Sequence, residues 1–235
     1  IDDTGAPLSG IDMNAIDAQG IPAELFNDDS DLNGNFSVLF PAGTWEASLR
    51  SVDPTATQEW VPHTFPLMVV DGPLDLGTTQ MLPGYHFIGE VHDSIGNWVE
   101  GADLDAEHSA TGNSITINND TTDINGRFDV ILPIGSLLLE IDPPLLGPVL
   151  QTVIVPLGVV AGAPVDLGII VLPDGVLLSG RCIDSTGAPV GLVDVELFDS
   201  ATGILYPTIH ENGAADGTFS FAIDPGVYDL MIIPP

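Results

Sequence analysis

Apolar and polar residues alternate with a period of two at three evenly spaced places along the chain. Ile11, Met13 and Ala15 alternate with Asp12, Asn14 and Ile16. Ala102, Leu104 and Ala106 alternate with Asp103, Asp105 and Glu107. Val193, Val195 and Leu197 alternate with Asp194, Glu196 and Phe198. A period of two belongs to a strand with one face in a core and the other in water. Each run therefore predicts a half-buried strand with its acidic residues outward. Asp12, Asp103 and Asp194 are spaced by 91 and 91, and Phe36, Phe128 and Phe219 by 92 and 91. Asp75-Leu76-Gly77 returns as Asp166-Leu167-Gly168. A repeat of this length fits a seven-strand sandwich, and no stretch carries a helical period.

The breaks between runs are turn chemistry. The opening turns are Asp3-Thr4-Gly5, Ser94-Ile95-Gly96 and Ser185-Thr186-Gly187. Asn33-Gly34 and Asn125-Gly126 are strong hairpin signals because both residues tolerate positive φ, and Asp216-Gly217 serves the third copy for the same reason. The strand carrying each recurrent Phe then ends at Pro41-Ala42-Gly43, Pro133-Ile134-Gly135 or Pro225-Gly226. A further strand stops at Asp53-Pro54, Asp142-Pro143-Pro144 or Pro234-Pro235, since proline cannot donate to a ladder. The reading is all-β: a tandem array of Ig-like seven-strand antiparallel β-sandwiches. Repeat 1 spans 1–82 and lacks its first strand. Repeat 2 spans 83–173 and is complete. Repeat 3 spans 174–235 and lacks its C-terminal strands.

The middle repeat shows Gly89-Glu90-Val91, Asp93-Ser94-Ile95-Gly96 and Val99-Glu100-Gly101-Ala102. It continues with Thr122-Asp123-Ile124-Asn125-Gly126-Arg127-Phe128 and Pro133-Ile134-Gly135. The third adds Gly187-Ala188-Pro189-Val190 and Pro225-Gly226-Val227-Tyr228. This pattern resembles the carboxypeptidase regulatory-like family of transthyretin-like sandwiches, over essentially the whole chain. The resemblance implies the sandwich fold and an accessory or surface role, and names no activity. Trp98 stands where that family has proline, and Gly191-Leu192 is shifted against Gly101-Ala102. The related collagen-adhesin B-type pilin domains carry a Lys–Asn cross-link, which this chain cannot make because it has no lysine.

Charge narrows the partners. Asp and Glu number 34 against three basic residues, Arg50, Arg127 and Arg181, for a net charge of -31. Nucleic acid and anionic lipid both need cationic contacts, so neither is an expected partner. Such a chain repels itself unless salt screens it, over a Debye length of roughly 8 Å at physiological ionic strength, which suits a salty or calcium-bearing exterior. Residues 143–165 carry no charge, but five prolines would break any spanning helix there. Short buried strands are expected in that stretch, and no membrane insertion. The lone Cys182 excludes a disulfide within the chain and reads as a buried strand residue.

Catalytic signatures are missing: no HExxH, GxSxG, P-loop or CxxC occurs. His63, His86, His92, His108 and His210 do not recur between repeats and read as surface or core histidines. Two loops concentrate oxygen ligands. Asp28, Asp29, Asp31 and Asn33 form one, and Asp120, Asp123 and Asn125 the other. Calcium takes six to eight such oxygens, and the same residues equally build Asx turns at hairpins. Neither loop has EF-hand spacing. Asn35 and Asn119 lie in glycosylation triplets, Asn119 being the better placed in a loop.

The expected function is a non-enzymatic extracellular or cell-surface structural protein, part of a filament, stalk or surface layer. Its expected partner is itself, head to tail, or further repeats of a longer chain, and calcium is the one cofactor considered. The other reading is an adhesin, or an accessory carbohydrate- or protein-binding region of a secreted protein. Trp45, Trp60 and Trp98 fall at unrelated positions of the repeat, which disfavours a sugar platform.

Overall fold

The computed structural model describes residues 1–51, 58–144, 146–159, 164–206 and 213–235. The strand stop expected at Asp53-Pro54, and His210, lie outside them. Every element among the described residues is a strand. The first repeat holds β1 (Ile11–Asp17), β2 (Gly43–Ser51), β3 (Glu59–Trp60) and β4 (His63–Val70). The second holds β5 (Pro83–Asp93), β6 (Asp103–His108), β7 (Ser114–Ile115), β8 (Arg127–Pro133), β9 (Gly135–Asp142), β10 (Val153–Val159) and β11 (Val165–Leu172). The third holds β12 (Val176–Arg181), β13 (Asp194–Asp199), β14 (Leu205–Tyr206), β15 (Thr218–Ile223) and β16 (Tyr228–Ile233).

In the second repeat, one sheet runs β10-β9-β6-β7, and in the other β5 lies between β8 and β11. Leu104 and Ala106 of β6 and Leu137, Leu139 and Ile141 of β9 point inward from the first sheet. Phe87 and Val91 of β5, Phe128, Val130 and Leu132 of β8, and Leu172 of β11 meet them from the second. Fully burying such a side chain stabilises the fold by about 1.5–3 kcal/mol, which makes this core the main support of the repeat. Pro156 sits in β10, an edge strand, where its missing N–H breaks no inner ladder. Among the described residues no helix is long and apolar enough to cross a membrane.

The alternation holds in all three repeats. Met13, Leu104 and Val195 are buried, while their acidic neighbours face outward. Phe128 is buried, and Phe36 and Phe219 are half-buried against the cores of their own repeats. In the third repeat β12 pairs with β15, and β13 lies between β14 and β16. In the first, β2 lies between β1 and β4.

Two expectations change. The sandwich is not wholly antiparallel, because β11 pairs with β5 in parallel. The first and last strands of the repeat enter the sheet from the same end and so run the same way. The Phe36 segment is extended but forms no strand, unlike β8. Its counterpart β8 pairs with β5, and no described strand fills that place in the first repeat. At the hairpins Gly34 and Gly126 have positive φ (74° and 68°), but Asn33 and Asn125 do not. A type I turn followed by a left-handed glycine closes these loops, so the Asn-Gly pair is not a primed turn.

Candidate functional site: turns, junctions and an open groove

The acidic turns share one construction. Asp123 N–H donates to Arg127 O, Gly126 N–H donates to Asp123 O, and Asp123 Oδ1 accepts from the N–H groups of Asn125 (2.8 Å) and Arg127 (2.9 Å). Asp31 does the same toward Asn33 and Asn35. So do Asp2, Asp17, Asp93 and Asp184. The Arg127 N–H holds the Asp123 carboxyl below the ordinary aspartate range, and the Asn35 N–H does this for Asp31. The turn thus draws on the ionised carboxylate.

The residues considered for calcium are spread along these hairpins. The carbonyl of Asp28 accepts Met13 N–H and that of Asp120 accepts Leu104 N–H, so both serve the sheet through their main chains. Asp29 forms a bridge with Asp12. Asp31 and Asp123 each commit Oδ1 to a turn, with Asn33 and Asn125 as donors to it. Among the described residues, no three or more His, Cys, Asp or Glu side chains gather as metal ligands would. Calcium at either loop is a proposal that must work with the oxygens the turns leave over. Asn119 is exposed at φ 54°, and glycosylation there is likewise a proposal.

Other candidates are ordinary contacts. His86 Nδ1 lies 2.6 Å from Asp129, His92 Nε2 lies 3.3 Å from Glu90, and His63 stacks edge-on against Phe65. Cys182 is half-buried just beyond β12, with its N–H donating to Gly217 O. Trp98 is exposed, whereas Trp45 packs on Phe40 and Trp60 joins the first core, so the tryptophans form no shared platform. Arg50 pairs with Asp12 and Arg127 with Glu90, each directly across a strand pair. Arg181 donates to the carbonyl of Asp216. The acidic excess therefore faces solvent largely unneutralised.

Both junctions between repeats are built alike. At the first, Glu59 and Trp60 of β3 pair with Gly84 and Pro83 of β5, and Val61 N–H donates to Leu82 O. At the second, Leu150 bridges Asp174, Gly175 N–H donates to Val149 O, and Gln151 N–H donates to Pro173 O. A glycine sits at the tight point of each. A Cβ on Gly84 would meet Ile131 at 2.2 Å and Val61 N at 3.2 Å. One on Gly175 would meet Ala222 at 3.0 Å and Gln151 at 3.2 Å. Ile131 and Ala222 are themselves 91 residues apart. The junctions escape sequence reading because main-chain bonds ask little of side chains, although the recurrence of Gly84 and Gly175 marks them.

A groove of about 810 Å³, lined by polar and apolar groups alike, opens along the first repeat. Residues 36–40 form one wall and residues 71–81 the other, with Met13 and Leu49 beneath.

No protein-family model and no curated protein matches the chain. Similar solved structures include the Bacillus anthracis TIE protein, at 12% identity over 100% of this chain with a TM-score of 0.35. This chain spans 44% of that one. A streptococcal ancillary pilin matches at 18% identity over 84% of this chain and 68% of its own, with a TM-score of 0.33. GBS52, the minor pilin of Streptococcus agalactiae, matches at 10% identity over 77% and 88%, with a TM-score of 0.34. At TM-scores this low, the likenesses carry no argument about this chain.

Proposed function

We propose that this chain is a non-enzymatic extracellular structural protein, a segment of a filament, stalk or surface layer of head-to-tail sandwich modules. The observation that carries this reading is the repeated junction. Two successive repeats meet without a linker, through the same main-chain bonds and around the same glycine. A flexible string of binding modules needs no such clamp, whereas an array that bears load does, because each repeat is stabilised by its neighbours. The transthyretin-like architecture and the module limits 1–82, 83–173 and 174–235 belong to this proposal. The net charge of -31 suits a screened, ion-rich exterior. Electron microscopy of the purified native protein tests the reading. Thin unbranched rods with a repeat of a few nanometres are expected, since a strand core of about six residues is roughly 20 Å long. Dispersed globular particles with flexible tethers would overturn it.

A further inference from the structure

The two sheets of a sandwich turn their outer faces to opposite sides, and in the second and third repeats those faces differ in charge. In the third, Gly180, Phe219 and Phe221 face the core, so β12 and β15 turn Leu177, Ser179, Arg181, Thr218, Ser220 and Ala222 outward. No carboxylate stands among these six. On the other sheet, Val195 and Leu197 face the core, so β13 and β16 turn Asp194, Glu196 and Asp229 outward beside Phe198, Met231 and Ile233. No basic residue stands among those six.

The same polarity returns in the second repeat. On the outer face of β5 and β8, Arg127 lies opposite Glu90 and bonds it at 3.0 Å, His92 reaches Glu90 at 3.3 Å, and His86 reaches Asp129 at 2.6 Å. Glu90 and Asp129 are thus matched by basic side chains, and Asp166 of β11 accepts Gly168 N–H. The opposite sheet turns Asp103, Asp105 and Glu107 of β6 and Glu140 of β9 outward, with Asp105 directly across from Glu140. Asp105, Glu107 and Glu140 line a hollow of about 300 Å³ that has no basic residue in its walls. Arg181 stands 91 residues after Glu90, and Glu196 stands 91 after Asp105, so the polarity recurs with the repeat. In the first repeat Arg50 pairs with Asp12 on the β1–β2 sheet, and the polarity is absent there. Both kinds of face also expose apolar side chains, Ile169, Val171 and Leu177 on one and Ile154 and Met231 on the other.

We infer that these faces are the two halves of one lateral contact, in which the arginine-bearing sheet of one copy lies on the acidic sheet of a second copy. The second copy is the occupant because its own acidic sheet is the complement of Arg127 and Arg181. The net charge of -31 does not forbid this. At physiological ionic strength the Debye length is roughly 8 Å, so groups in contact respond mainly to the face opposite, and complementary faces set partner and register. The exposed Ile, Val, Leu and Met side chains supply apolar area between the charges. The two faces lie on opposite sides of the sandwich, so the contact is heterologous and leaves a free face at each end of a stack. Copies therefore add side by side into a layer. The contact is lateral and is tested apart from the head-to-tail reading.

Two variants of the intact chain each reverse one face. Arg127→Glu with Arg181→Glu makes the first face acidic, and Asp105→Lys with Glu196→Lys makes the second basic. All four side chains are at least partly exposed, and circular dichroism checks the folds. Light scattering at about 0.15 M salt compares the unaltered chain, each variant alone and their equimolar mixture. The unaltered chain should associate, and each variant alone should need about tenfold or more higher concentration, since its faces then meet only like charge. The mixture should recover the association, because the reversed faces complement each other. Both variants stay strongly acidic, so net charge cannot produce that recovery. No association of the unaltered chain, equal association of all samples, or no recovery on mixing would overturn the contact. Loss in the arginine variant alone, together with lost binding of dextran sulfate, would assign that face to an anionic polymer and overturn the contact too. In micrographs, rods side by side for the unaltered chain and single for each variant would uphold contact and array together. Rods indifferent to the variants would overturn the contact and spare the array. The scattering pattern without rods would uphold the contact and overturn the array.

Discussion

The ring of Phe128 lies against Gly89, its partner across the β5–β8 pair, so closely that a Cβ on Gly89 would meet it at 2.6 Å. The third repeat has the same pair in Gly180 and Phe219, at 2.3 Å. An aromatic ring laid over a strand glycine covers main chain that has no side chain of its own. The two pairs differ in what surrounds them. Phe128 is buried, and Gly168 O closes the other side of Gly89, whereas Phe219 is half-exposed and its ring alone supplies the closest approaches to Gly180.

Gly89→Ala is therefore expected to cost about 1–3 kcal/mol, the range for overpacking a closed core. Gly180→Ala should cost clearly less. Urea unfolding of both variants checks the ordering, and equal losses would mean that Phe128 yields as readily as Phe219.

The turns offer a second comparison. Asp123→Ala removes the acceptor for two main-chain N–H groups and should lower the melting temperature. Asp123→Asn keeps a side-chain oxygen of the same reach and should retain most of the stability. Thermal melting of the two variants decides this, and equal destabilisation by both would assign the effect to the lost charge.

Acid should weaken the fold through the same groups. Thr4, Thr186, Thr202 and Thr218 hydroxyls bond Asp2, Asp184, Asp199 and Asp216, and main-chain N–H groups bond Asp31 and Asp123. All six carboxyls are held more acidic than an ordinary aspartate. In the unfolded chain they protonate first as pH falls. Their contribution is thus complete above the unfolded values, near pH 4, and is lost as pH drops through the folded ones. Protonation also relieves the repulsion of the -31 net charge, which works the other way. Melting temperature at high salt should fall steadily below about pH 4, with a shallower fall at low salt. A rise at high salt would contradict the assignment.

Salt at neutral pH isolates the repulsion. Only two Arg–carboxylate pairs appear among the described residues, both partly exposed and each worth little. Raising sodium chloride from about 20 mM to about 0.5 M shortens the Debye length several-fold and should raise the melting temperature. Calcium matched to the same ionic strength tests the loops at Asp31 and Asp123. An additional rise supports bound calcium, and identical curves remove it.

The three-fold repeat, the inward faces of β1, β6 and β13, and the hairpin sites were legible because alternation and turn chemistry are local. What failed was pairing. The Phe36 segment alternates as β8 does, but alternation cannot supply the neighbour that makes a strand. The parallel β5–β11 pair and the two-residue β3 depend on contacts between distant residues and on main-chain bonds. Nothing in the alternation of Val165–Leu172 distinguishes a parallel from an antiparallel partner. The calcium reading drew on the same Asp residues as the turns, and composition cannot say which use a carboxylate serves.

Sedimentation velocity of the intact chain over a wide range of concentration, at moderate salt, tests head-to-tail assembly most directly. The account predicts association that grows with concentration. A stable monomer at every concentration would contradict the account.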